Sequence, residues 1–144
     1  MEIPARMLTD TATMPSRAHE DDAAFDLCAD ESLQLAPGAR AAVPTGIALA
    51  LPPGSCGLVL PRSGLALRHG ITVLNAPGLI DPGYRGEVMA ILLNTDPHEA
   101  FQIARGDRIA QLLIIEMGQA SLLLVDGELG ETARGVGGFG STGR

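Results

Sequence analysis

Asp81 stands inside Asn75-Ala76-Pro77-Gly78-Leu79-Ile80-Asp81-Pro82-Gly83-Tyr84-Arg85-Gly86-Glu87, where two turn-rich stretches flank a short apolar pair. A carboxylate held on a tight turn beside a ligand can take a proton from water. The pattern predicts a β-hairpin with its backbone exposed at the tip, and an exposed strand edge can read a base by its donors and acceptors. Asp81-Pro82-Gly83 is also the ordinary composition of a plain turn, and Tyr84 equally suits a half-buried strand position.

Four further segments carry polar groups in places where simple folding does not require them. Pro61-Arg62-Ser63-Gly64 lies where a strand pattern gives way to a short helix, Ser63 to Gly70. A helix start presents unpaired N–H groups and partial positive charge. Ser63 is expected to cap that start and Gly70 to end it. Ala23-Ala24-Phe25-Asp26-Leu27 sets one acid in an apolar stretch, and a buried carboxylate needs a donor, a guanidinium or a metal's water shell. In Gly106-Asp107-Arg108-Ile109-Ala110-Gln111-Leu112, Asp107 and Arg108 suit a structural pair, whereas the Gln111 amide among apolar neighbours calls for a specific partner. The tail after Arg134 has five glycines in nine residues. Such a segment is costly to order, yet it offers the Arg134 cation, the Phe139 ring and the adjacent Ser141 and Thr142 hydroxyls. Those groups suit phosphate and a base; a disordered terminus has the same composition.

The elements that must hold these residues are mostly strands. Short β-type runs recur at Ala41–Leu51, Cys56–Leu60, Ile71–Leu74, Gly86–Asn94, Ala100–Ala104, Arg108–Met117 and Ser121–Val125, with Gly and Pro between them. Many short, closely spaced strands predict an all-β sandwich or jelly roll. Leu112–Ile115 is apolar on both faces, as in a strand buried on both sides, and a subunit contact would do this. The expected organisation is one domain over residues 1–132 and a mobile tail over 133–144. With 144 residues, 46% hydrophobic and 3% aromatic, the core must be aliphatic.

A charge of −7 and a pI near 4.8 exclude a general nucleic-acid binder, which needs a basic footprint. They leave room for a small phosphorylated ligand held by a local arginine cluster or a divalent cation. Cys28 and Cys56 make no metal spacing and suit free thiols in a reducing cytoplasm. No apolar run approaches a membrane span, and no signal-peptide pattern opens the sequence.

Taken in order, PRSG, GLIDPGYRGE, GDRIAQ and RGVGGFGST, with the first block around Asp26, resemble the homotrimeric dUTPase family. The resemblance spans nearly the whole chain. It implies a jelly roll whose three subunits share each active site and convert dUTP to dUMP and pyrophosphate with Mg²⁺. That reaction limits uracil incorporation into DNA and supplies dUMP for dTMP synthesis. It implies Asp81 as the residue that orients or deprotonates the attacking water, and Asp26 as a metal contact through water. Arg62, Ser63, Gly64 and Gln111 would meet phosphate. Asn75 and the backbone of Gly78, Leu79 and Ile80 would read uracil, with Tyr84 against the deoxyribose. Arg134, Phe139, Gly140 and Ser141 would close over the ligand. The first block departs from the family in having Ala24 where glycine commonly precedes the aromatic residue. A dCTP deaminase and a non-catalytic nucleotide-binding regulator share the fold. The intact Asp26 and Asp81 and the Asp81-Pro82-Gly83-Tyr84 context favour the dUTPase.

Overall fold

The computed structural model describes residues 1–137. Ten strands and one helix follow in order: β1 (Ala5–Met7), β2 (Phe25–Cys28), β3 (Leu33–Leu35), β4 (Arg40–Leu49), β5 (Ser55–Leu60), α1 (Ser63–His69), β6 (Ile71–Val73), β7 (Gly78–Ile80), β8 (Glu87–Asn94), β9 (Phe101–Ile103) and β10 (Arg108–Glu116). One antiparallel sheet has the order β1-β4-β8-β6, a second the order β2-β10-β5-β7, and β3 pairs with β9. The jelly-roll architecture expected from the strand spacing is what the chain adopts.

Alternation builds the core. In β8, Val88, Ala90, Leu92 and Asn94 are buried while the residues between them are not, the period-two pattern of a strand with one face inward. Val88, Ala90 and Leu92 pack with Val43 and Ile47 of β4, and with Leu27, Val59 and Leu112 of the second sheet, in one aliphatic cluster. Buried Asn94 is fully occupied: its Nδ2 donates to the carbonyls of Leu35 and Glu99 at 3.1 and 2.9 Å, and its Oδ1 accepts the Asp96 N–H at 2.9 Å. A bulge interrupts the β4–β8 ladder between Pro44 and Ala48. Gly46 there has φ +67°, and a Cβ would fall 2.6 Å from that of Ala12.

Two expectations fail locally. Gly78–Ile80 does not form a hairpin with the segment that follows: β7 joins β5 in one sheet, while β8 joins β4 and β6 in the other. The Asp81 segment is therefore a crossing between sheets. Ser121–Val125 forms no strand, and Leu122, Leu123 and Leu124 are almost wholly exposed, because no edge within the described chain pairs with them. For Leu112–Ile115, burial on both sides calls for a subunit contact, which a single chain does not contain. Leu112 is buried, Leu113 and Ile114 are half-buried and Ile115 is exposed.

Candidate active site

Strand register assembles the first group of polar residues. Gln111 of β10 lies opposite Asp26 of β2 on one side and Leu60 of β5 on the other. The chain leaves β5 through Pro61 and Arg62 and enters α1 directly. Three strands thus bring Asp26, Gln111 and the Arg62-Ser63-Gly64 turn to one cleft of about 310 Å³, which Arg108 also lines.

Asp26 is the hub of this cleft. Its Oδ1 meets Arg62 Nε at 3.1 Å and its Oδ2 meets Arg108 Nη1 at 3.1 Å. Arg62 Nη1 also donates to the Arg108 main-chain carbonyl at 3.0 Å, so the Arg62 guanidinium is fixed both to the acid and to the start of β10. Charge-assisted contacts of this kind orient planar groups closely. Gln111 has the specific partner its surroundings require: Nε2 donates to the Pro61 carbonyl at 2.8 Å, fixing the turn before the helix. Burial, and then the nearby Asp26 carboxylate, raise the Cys28 thiol pKa.

Two readings of this region need correction. Ser63 is not the N-cap. Arg62 holds that position in extended conformation, Ser63 is the first helical residue, and no side chain caps the start. Gly70 does end α1, with φ 63° and its N–H on the Ala66 carbonyl. Asp107 and Arg108 do not pair: Asp107 accepts the Ala104 N–H at 2.9 Å, closing the turn, and Arg108 goes to Asp26. Arg108 is the site residue that sequence reading missed.

The second cleft, about 290 Å³, is lined by Asn75, Gly78, Leu79, Ile80, Asp81 and Tyr84, with Val59 and Glu87. All six candidates of the Asp81 block therefore meet in one place. Gly78 permits a close approach, since a Cβ there would lie 3.2 Å from the Asn75 amide nitrogen and 3.3 Å from Val59. Asp81 to Tyr84 form a turn closed by the Tyr84 N–H on the Asp81 carbonyl at 3.0 Å. Asp81 is exposed, and among the described residues its carboxylate has no hydrogen-bond or ion-pair partner. The Tyr84 hydroxyl donates to the Glu87 carbonyl at 2.9 Å.

The two clefts share no lining residue. Arg134 joins neither; it is exposed, and its Nε donates to the Gly137 carbonyl of its own turn at 2.9 Å. Phe139, Gly140 and Ser141 lie outside the described residues.

Comparison with known proteins gives the family. A family model described as dUTPase matches residues 10–143. The chain is 53% identical over 143 residues to a deoxyuridine 5′-triphosphate nucleotidohydrolase of Thermobifida fusca, covering 99% of this chain and 79% of that protein. It is 50% identical over 141 residues to the Nocardia farcinica protein of the same name, covering 98% and 85%. A dUTPase of Staphylococcus bacteriophage 80alpha, solved with dUpNHpp, superposes with a TM-score of 0.91 at 27% identity, covering 99% of both chains. A dUTPase of phage phi11 of S. aureus, a structure described for its coordination of a structural Mg(II) ion, superposes with a TM-score of 0.83 at 26% identity, covering 88% of this chain and 98% of that one. By sequence and fold, the chain belongs to the dUTPase family and is a dUTP diphosphatase.

Proposed function

We propose that this chain hydrolyses dUTP to dUMP and pyrophosphate by attack of an Asp81-activated water on the triphosphate. One observation carries the reading: Asp81 shares its cleft with the groups suited to a pyrimidine and a sugar, and its carboxylate is exposed and, among the described residues, unpartnered. A general base must reach its water and must not be spent on a structural partner. Asn75 and the backbone of Gly78, Leu79 and Ile80 hold the uracil edge, and Tyr84 packs against the deoxyribose.

Arg62, Ser63, Gly64 and Gln111 form the phosphate end. The donor set there bears on how a divalent ion would be held. Among the described residues no three His, Cys, Asp or Glu side chains converge, and both Asp26 oxygens face guanidiniums. This does not cage a divalent ion. It fits Mg²⁺ carried in on phosphate oxygens and met by Asp26 through a water shell. When bound, the ion neutralises charge on the triphosphate. The chain's own contribution is to orient the phosphates and the water. Residues 133–144 act as a tail that closes over the ligand, with Arg134 on phosphate and Phe139, Gly140 and Ser141 over the base.

A nucleotide must reach both clefts, and within one chain they have no residue in common. We therefore place complete sites between subunits of a C3 homotrimer. The exposed Leu122, Leu123 and Leu124, and the exposed Ile115 at the end of β10, supply apolar surface for that contact. The product dUMP then serves dTMP synthesis, and removal of dUTP limits uracil in DNA. The two free cysteines suit a reducing cytoplasm.

The test is a panel of dUTP, UTP and dCTP with Mg²⁺, scoring pyrophosphate against ammonia, alongside light scattering. Pyrophosphate from dUTP alone, at a mass three times that of one chain, is the expected result. Ammonia from dCTP, or a fully active monomer, would reject the corresponding part.

A further inference from the structure

Tyr84 is held on more sides than a surface ring requires. Its N–H closes the turn onto Asp81, and its hydroxyl reaches forward to the Glu87 carbonyl at 2.9 Å. Arg85 Nη1 donates back to the carbonyls of Pro82 and Tyr84 at 2.6 and 2.7 Å. The Glu87 carboxylate accepts the Gly46 N–H at 2.7 Å, tying the end of this loop to the β4 bulge. Residues 81 to 87 therefore form one braced loop, with the Tyr84 ring folded back over its own backbone.

Gly86 makes that fold-back possible. Its φ is not in the left-handed region, so the backbone there does not itself demand glycine. Space does. A Cβ at this position would lie 2.6 Å from Tyr84 Cζ and 3.0 Å from Cε2, and would also collide with the hydroxyl oxygen. These are atoms of a rigid ring tethered at both ends, so relief cannot come from rotation of a flexible chain end. The ring itself must leave its place.

We propose that Gly86 is a positioning residue for sugar selectivity: its bare Cα lets the hydroxyl end of the Tyr84 ring approach the main chain closely, at the depth that packs a deoxyribose and excludes a 2′-hydroxyl. The inference rests on Tyr84 facing the sugar, as set out above. It adds the residue that fixes the ring, and it couples that ring mechanically to the turn carrying Asp81.

The chain contains one tyrosine and no tryptophan, so near-ultraviolet emission reports Tyr84 alone. In Gly86→Ala, acrylamide quenching of that emission should rise. The ratio of kcat/KM for dUTP over UTP should fall about tenfold, the lower end of what one methyl-sized misfit is worth. A double-mutant cycle separates ring placement from a backbone need for glycine. In a Tyr84→Ala background the added methyl group meets no ring, so Gly86→Ala should cause no further loss of selectivity or melting temperature. Unchanged quenching and selectivity in Gly86→Ala would overturn the proposal. So would an equal loss, or equal failure to fold, in both backgrounds. Failure to fold only when Tyr84 is present would support it. If the unmodified protein does not discriminate UTP from dUTP, the sugar-facing reading of Tyr84 fails, while quenching and the cycle still decide whether Gly86 places the ring.

Discussion

Asp26 and Asp81 are the same residue type in opposite settings. Asp26 is enclosed by two guanidiniums, and each of its oxygens has a partner. Asp81 stands exposed on a turn with its carboxylate unpartnered among the described residues. The first arrangement arises from side chains brought together by strand register across β2, β10 and β5. The second arises from backbone geometry, with Gly78 and the Asp81–Tyr84 turn shaping a cleft that Asn75, Asp81, Tyr84 and Glu87 line. A paired carboxylate fixes the positions of the cations around it, and an unpaired one remains available to take a proton. Charge organises one cleft, and shape organises the other.

Substitutions should separate the two. Asp81→Asn keeps the turn and removes the base. Turnover should fall by about 10²-fold or more, the usual scale of general-base loss, with little change in nucleotide affinity. Single-turnover kinetics paired with equilibrium binding checks this, and near-normal turnover would remove Asp81 from the chemistry. Deleting residues 133–144 should cost up to about 10²-fold in rate, since a stacking ring and a phosphate cation go together. The thermal melt should hardly move, because the deleted segment adds little to the core. A truncated protein that melts normally and works at full rate would leave the tail without a role.

Arg62→Ala strikes the charged cleft. Losing a charge-assisted contact should raise KM for dUTP by about 10-fold or more while kcat changes less. An effect confined to kcat would mean that the two clefts are not divided between binding and chemistry. The smallest effect lies away from both clefts. The hydrogen bond from Thr9 at 2.6 Å, and then the nearby Thr11 hydroxyl, hold the Asp30 carboxyl below the ordinary carboxylate range. A depressed folded-state pKa contributes stability above the unfolded value, and that contribution is lost as pH falls through the folded value. Thr9→Val should therefore lower the melting temperature near neutrality by a few degrees at most and flatten its decline below about pH 4. An acid limb that does not change would show that Thr9 does not hold Asp30.

Most of the site was legible as short motifs because its groups are local. Asp81, Tyr84 and Gly78 lie within a few residues of each other, and one turn plus one strand edge gathers them. Arg62, Ser63 and Gly64 likewise sit on consecutive positions. Arg108 was not legible as a partner of Asp26, since 82 residues separate them and a register shift in β10 decides the pairing. The hairpin expected around Leu79-Ile80 had the right turn residues, but local composition does not say which sheet a strand joins. Ser121–Val125 has strand chemistry and lacks a strand because pairing needs a second edge. Ser63 has the right type for a cap and stands one residue too late, because the extended Arg62 takes the cap position.

The absence of any shared lining residue between the two clefts has a genetic consequence. Where sites are assembled from different protomers, a chain damaged in one cleft still lends its intact cleft to a neighbour. Two defective alleles, one altered at Asp81 and one at Arg62, would restore some whole sites when expressed in the same cell. Either allele mixed with the normal gene would spoil sites that its own chains only half own. Inheritance at this locus would then depend on which cleft a mutation strikes, and heterozygotes would show complementation or partial dominance accordingly.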